Sequence, residues 1–153
     1  MRDQFVGESG VVLEKALAYW IHRVYQASRN EMFRLFREHG VEITPEQWIV
    51  LVRLWEEDGR TQTDLGQSTY RDRPTMSRIL DGMEKADLLE RRADPTSARI
   101  WRVHLTARGK ALRKKLVPLA RDLVARTQRG IPDRDLVTTR DTLSRMFANL
   151  TEE

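Results

Sequence analysis

The chain has 153 residues, 40% hydrophobic and 33% charged, which allows one domain with a real core, or one domain plus an oligomerisation extension. It has no Cys, which excludes disulfides, thiolate metal sites and thiol-based peroxide sensing. No apolar run is long enough to span a bilayer and MRDQFVGESG lacks a signal-peptide pattern, so a cytoplasmic protein with no membrane partner is expected.

Residues 11–38 read as one long helix, with Leu13, Leu17, Ile21, Val24, Ser28, Met32 and Leu35 at three-or-four spacing and Gly40 as the stop. Such a helix extends about 42 Å at about 1.5 Å per residue. A small core cannot cover that length, so the stripe is expected to meet a partner chain as well as its own domain. TPEQWIVLVRLWEEDG, residues 44–59, is a second helix. Thr44 can cap it, Pro45 suits its first turn, Gln47 completes a capping box and Gly59 ends it. Trp48, Leu51, Val52 and Trp55 form its expected buried stripe.

Residues 61–106 are the organising stretch. Thr61 and Asp64 have N-cap and N3 spacing for a short helix anchored by Leu65. After the polar linker STYRDR, the segment PTMSRILDGMEKA, residues 74–86, is helical. Pro74 fits its first turn, and Met76, Ile79, Leu80, Met83 and Ala86 make one apolar stripe. The opposite face carries Arg78, Asp81 and Lys85, with Thr75 and Ser77 at its margins. Asp81 is spaced to pair with Arg78 or Lys85. Two short helices joined this way describe a helix-turn-helix. Leu88–Arg92 is a short half-apolar run, ADPTSAR a turn-forming loop, and IWRVHL, residues 100–105, alternates as a strand with Trp101, Val103 and Leu105 on one face. The addition of a basic-tipped hairpin makes the unit a winged helix-turn-helix. Thr106 can cap a helix running to about Arg129, with a kink expected at Pro118. Gly130, Pro132 and Asp133 mark a break before a last helix to Leu150, whose face carries Leu136, Leu143, Phe147 and Leu150.

The charge is unevenly placed. Residues 60–115 hold 14 Lys/Arg against 7 Asp/Glu, whereas the rest holds 13 against 16. A positive excess on a unit that presents a helix and a wing is an electrostatic footprint for DNA. Catalytic motifs are missing: there is no phosphate-cradling Gly-rich loop, nucleophile elbow or HExxH. His22, His39 and His104 are isolated and have no metal-ligand spacing. No enzyme activity, cofactor or metal is therefore expected.

EQWIVLVRLWEEDGRTQTDLGQ, RPTMSRILDGMEKADLLERR and DPTSARIWRVHLTARG together resemble the MarR family of bacterial transcriptional regulators. Arg99, Leu105, Thr106 and Gly109 match the family's wing pattern, while Ser97 stands where the family has Asp and Asp87 where it has Gly. The resemblance implies a homodimer whose first helix and last two helices interdigitate between subunits. It also implies a small aromatic or phenolic effector bound between the dimer helices and the DNA-binding lobe, for which Trp20, His22 and Trp48 are the candidates.

The expected fold is mainly α with a small β-hairpin wing. Residues 1–40 would be an N-terminal dimerisation helix, 41–106 the winged helix-turn-helix, and 107–153 C-terminal dimerisation helices. The expected function is ligand-responsive repression through a pseudo-palindromic operator in double-stranded DNA. Pro74, Thr75, Ser77 and Arg78 would approach base edges and phosphates in the major groove. Arg99 would enter a minor groove, and Arg73 and Arg102 would contact phosphates. The competing reading is a winged-helix protein-interaction module, since fold alone does not give function. The basic hairpin with Arg99 at its tip separates the two, because a docking module needs neither.

Overall fold

The computed structural model describes residues 6–7, 10–69 and 71–151. In chain order it contains a short hairpin, β1 (Val6–Gly7) and β2 (Gly10–Val11), and a 3-10 turn at Leu13–Lys15. The helices α1 (Leu17–Glu38), α2 (Pro45–Glu56), α3 (Gln62–Ser68) and α4 (Arg73–Lys85) follow. The antiparallel pair β3 (Leu89–Asp94) and β4 (Ser97–Leu105) then leads into α5 (Ala107–Thr127) and α6 (Asp133–Thr151). None of the helices in the described residues is long and apolar enough to cross a membrane.

The first helix is shorter than its apolar period. Ala16 is extended, with φ −84° and ψ 123°, and separates the 3-10 turn from α1. Trp20 Nε1 donates to the Glu14 carbonyl at 2.9 Å, so the chain folds back where a continuous helix would have run on. Gly40 takes φ 74° just past the C-cap and ends the helix as its backbone freedom allows. The long stripe of α1 is not its buried face: Phe33 and Phe36 are buried, while Leu17, Trp20, Ile21 and Val24 stay exposed.

α2 has the expected capping box, with Thr44 and Gln47 bonding each other's backbone N–H at 3.0 and 3.2 Å. Its buried residues are Val50, Leu51 and Leu54, whereas Trp48 and Trp55 are half-buried. The difference arises because α2 lies between two cores. Val50, Leu51 and Leu54 join Leu65, Met76, Leu80, Met83, Leu88, Leu89, Val103 and Leu105 in the winged-helix core. Trp48 and Trp55 face the second cluster of Phe33, Phe36, Val41 and Leu116, which ties α1 and α5 to the lobe. Aromatic rings run through it: Phe36 to Trp48 at 5.1 Å and Trp48 to Trp55 at 5.7 Å. Trp55 Nε1 donates to the Gly109 carbonyl at 3.0 Å.

Thr106 caps α5 through the Gly109 N–H at 3.0 Å. α5 is one continuous helix through Pro118, so the single backbone bond that Pro118 cannot make does not end it. α6 starts after Gly130 (φ 77°) and buries no residue in the chain.

Candidate nucleic-acid interface

Local hydrogen bonds build the helix-turn-helix. Thr61 Oγ1 accepts from the Asp64 N–H at 3.0 Å and starts α3. Asp64 does not return the bond, because its carboxylate accepts from Arg60 Nη1 at 2.8 Å. The Arg71 N–H donates to the Gly66 carbonyl at 2.9 Å and closes the turn. A Cβ on Gly66 would lie 3.2 Å from the Arg71 carbonyl oxygen, so glycine lets the turn pass this close. α4 begins one residue earlier than the sequence implies. Asp72 is its N-cap and accepts from the Thr75 N–H at 2.8 Å, with Pro74 in the first turn. That bond, then the nearby Arg78, holds the Asp72 carboxyl below its ordinary range. The helix end is therefore already occupied by a carboxylate. Its amide groups are not the open phosphate cradle that a bare N-terminus would offer.

The wing is longer than its apolar pattern. The register runs from Leu89 opposite Leu105 to Ala93 opposite Trp101, then shifts so that Asp94 faces Ser97. An isolated bridge between Thr61 and Arg102 attaches the start of α3 to β4. Asp87, where the family pattern has Gly, takes the left-handed φ of 57°, a conformation Asp tolerates better than most residues. Asp94 supplies the acid that Ser97 lacks. It is buried, accepts from the Thr96 N–H at 2.8 Å and from the Thr96 hydroxyl, and pairs with Arg102. The Thr96 bonds and then Arg102 lower its carboxyl to about 2.

These contacts sort the arginines. Arg102 is committed to Asp94 and to the Gly59 carbonyl at 2.9 Å, an internal brace rather than a free cation. Arg91, which sequence reasoning missed, donates from Nε and Nη2 to Glu84 at 3.1 and 2.6 Å and also reaches Asp81. Asp81 thus pairs across to β3, not with Arg78 or Lys85, and its charge is compensated on the recognition surface. Among the described residues the guanidinium groups of Arg73, Arg78 and Arg99 make no hydrogen bond or ion pair, and all three residues are exposed. Thr75 and Ser77 are half-exposed beside Arg78. A groove of about 1430 Å³ runs between α3, the start of α4 and the wing, with Arg71, Arg73, Ser77, Arg99 and Trp101 on its walls.

The effector candidates are not assembled by one chain. Trp48 is in the aromatic cluster against Phe36. Trp20 and His22 are exposed near the other end of α1. Trp20 is about 24 Å from Phe36 along the helix axis, at about 1.5 Å per residue.

Residues 43–101 match the MarR family profile, and they are the segment that carries α2 to the wing. Over these residues the chain is similar to the MarR family. Its MarR segment extends into a longer likeness to the HTH-type transcriptional regulator TtmR of Methylorubrum extorquens, 27% identical over 104 residues. That match takes in 68% of this chain and 52% of the regulator, so the chain spans about half of the relative's length. A crystal structure of a MarR-family transcriptional regulator from Silicibacter pomeroyi superposes with a TM-score of 0.74 at 27% identity, over 93% of this chain and 94% of that one. The MepR–DNA complex of S. aureus shares the fold with a TM-score of 0.79 at 21% identity, over 90% and 99% of the two chains. The likeness in fold therefore extends beyond the wing to the terminal helices, and these relatives are transcriptional regulators by name.

Proposed function

We propose that this chain, similar to the MarR family, is a sequence-specific DNA-binding regulator that acts in the cytoplasm as a homodimer. It represses from a pseudo-palindromic operator and is released by a small aromatic or phenolic effector. The observation that carries the reading is the trio Arg73, Arg78 and Arg99, exposed with no guanidinium hydrogen bond or ion pair among the described residues, Arg73 and Arg99 standing on the walls of one groove. A basic group left unpaired on a folded surface beside a helix of the right size is what phosphate and base contacts require. Arg78 reads a base edge from α4, with Pro74, Thr75 and Ser77 lining its approach, and Arg73 holds a phosphate. Arg99 enters the minor groove. Arg102 acts mainly by holding the wing in shape. Residues 41–106 form the reading lobe, and 1–40 and 107–153 the dimerisation helices. The apolar groups that α1 and α6 leave exposed support that division.

Selection of duplexes from a random pool by the full-length chain, followed by hydroxyl-radical footprinting, tests this. The expected result is a pseudo-palindrome with half-sites about 34–36 Å apart, protected on one face of the duplex. Retention of no duplex at low salt would replace this reading with a winged-helix protein-interaction module.

A further inference from the structure

The alternation of β4 places Trp101 on the same face as Val103 and Leu105, the face that fills the winged-helix core. Val103 is fully buried and Leu105 nearly so, yet Trp101 is 48% exposed. The reason is positional. The bridge from Thr61 to Arg102 is where α3 meets the strand, and beyond it β4 runs out over the groove. Opposite Trp101 in the register is Ala93, too small to cover an indole. The result is a large aromatic side chain on the wall of a groove that also carries Arg71, Arg73 and Arg99. Its N–H has no acceptor among the described residues, whereas Trp20 and Trp55 donate theirs to the carbonyls of Glu14 and Gly109.

An exposed indole of this size is costly to leave in water, and an apolar ring on a wall where four arginines outnumber Asp72 and Glu84 is poorly placed for a protein core. It matches a ligand that is apolar on its face and anionic at its edge. The sugar–phosphate backbone of a duplex has that character: deoxyribose presents C–H groups and the adjoining phosphate presents acceptors. We propose that Trp101 is a DNA-contacting residue that packs its ring on a deoxyribose and donates Nε1–H to the neighbouring phosphate, between the α4 contacts and those of Arg99. The assignment rests on the DNA-binding reading above. Because the contact is made by a neutral group, it displaces no counterion, and this separates it from every arginine around it.

The test compares full-length wild type, Trp101→Ala, Trp101→Phe and Arg99→Ala on the selected operator at several salt concentrations, with thermal midpoints as a control for folding. Trp101→Ala is expected to weaken binding about tenfold at every salt concentration, with the slope of log K against log salt unchanged. Trp101→Phe, which keeps a ring and loses the N–H, is expected to fall between. Arg99→Ala is expected to flatten the slope. A difference spectrum of tryptophan emission, wild type minus Trp101→Phe, should change on addition of the duplex. If wild type binds but Trp101→Ala binds equally well, the assignment of Trp101 is overturned and the DNA reading stands. A Trp101→Ala loss that tracks salt as the Arg99→Ala loss does also overturns it. If wild type binds no duplex, both readings fall together.

Discussion

At the scale of single residues, Arg78 and Arg99 differ in what they can read. Arg78 projects from the second turn of α4, where a planar five-donor fork can meet a guanine edge. Arg78→Ala is therefore expected to cost roughly 1–3 kcal/mol on the cognate operator and to relax preference at one base pair per half-site. Arg99 lies in the first part of β4, just past the turn at Pro95 and Thr96 and not on it, and its loss should follow A·T content and groove width at the flanks rather than one base. Arg37→Ala, an exposed cation on α1, is the control for an average surface charge. Binding of all three variants to cognate and scrambled duplexes at two salt concentrations decides the matter. Equal small losses on every duplex would mean the reading surface lies elsewhere. Asp94 carries a separate expectation. Its carboxyl is lowered from an ordinary 3.8 to about 2 by Thr96 and Arg102. A lowered folded value means stabilisation that is present above the unfolded value and lost as pH falls through the folded one. Asp94→Asn should thus lower the urea midpoint at neutral pH and differ less from wild type near pH 2. An equal deficit at both pH values would show that the charge is not what braces the wing.

Among the elements, the junction of α5 with the wing is the least tolerant. Gly109 is in the first turn of α5, and a Cβ there would collide with the Leu88 carbonyl at the mouth of β3. That carbonyl also accepts from the Thr106 N–H at 3.2 Å, so it cannot swing away without breaking the link between wing and helix. Gly109→Ala is expected to destabilise the chain by about 1–3 kcal/mol, although alanine favours helices elsewhere. Chemical denaturation measures it, and an unchanged or raised midpoint would show that the helix can shift without cost. A second link joins α5 to α1, where Glu31 accepts from Arg126 at 2.6 Å and from Arg34 at 2.9 Å. Arg34 and then Arg126 lower the Glu31 carboxyl to about 2.

For the molecule as a whole, the exposed apolar residues of α1 and α6 determine the quaternary expectation. Trp20, Val24, Val137 and Leu143 remain in solvent in one chain, and α6 has no buried residue. Such a surface is expected to pair with a second copy, giving a dimer at micromolar concentration. Sedimentation of wild type and of Leu143→Glu tests this. Wild type should sediment as a dimer, and Leu143→Glu should shift toward monomer and lose operator affinity with it. A wild-type monomer that binds DNA tightly would end the idea. An effector would act at the same scale, by favouring one spacing of the two α4 helices over another. Titration with a panel of aromatic acids, read by tryptophan emission and operator affinity, would show the coupling. No response in either readout would remove the effector from the proposal.

What the sequence determined alone was mostly what one or two helical turns can hold. Thr44, Thr61 and Thr106 each cap a helix through a bond to the residue three positions on, so residue type and spacing are enough to find them. The apolar period of α4 places Met76, Leu80 and Met83 inward for the same reason. Asp72 was legible in principle, three residues before Thr75, but Pro74 invites a start one residue later. The tertiary structure alone decided the rest. Alternation along β4 tells which face Trp101 shares, but the core's extent along the strand depends on where α3 docks. The pairing of Arg91 with Asp81 and Glu84, and of Arg102 with Asp94 and Gly59, joins groups from different elements. No periodicity encodes such pairs, because they depend on distances that exist only after the elements pack. Those pairs also decide which arginines remain free for a ligand, so the charge of this surface is written in the sequence while its availability is a property of the fold.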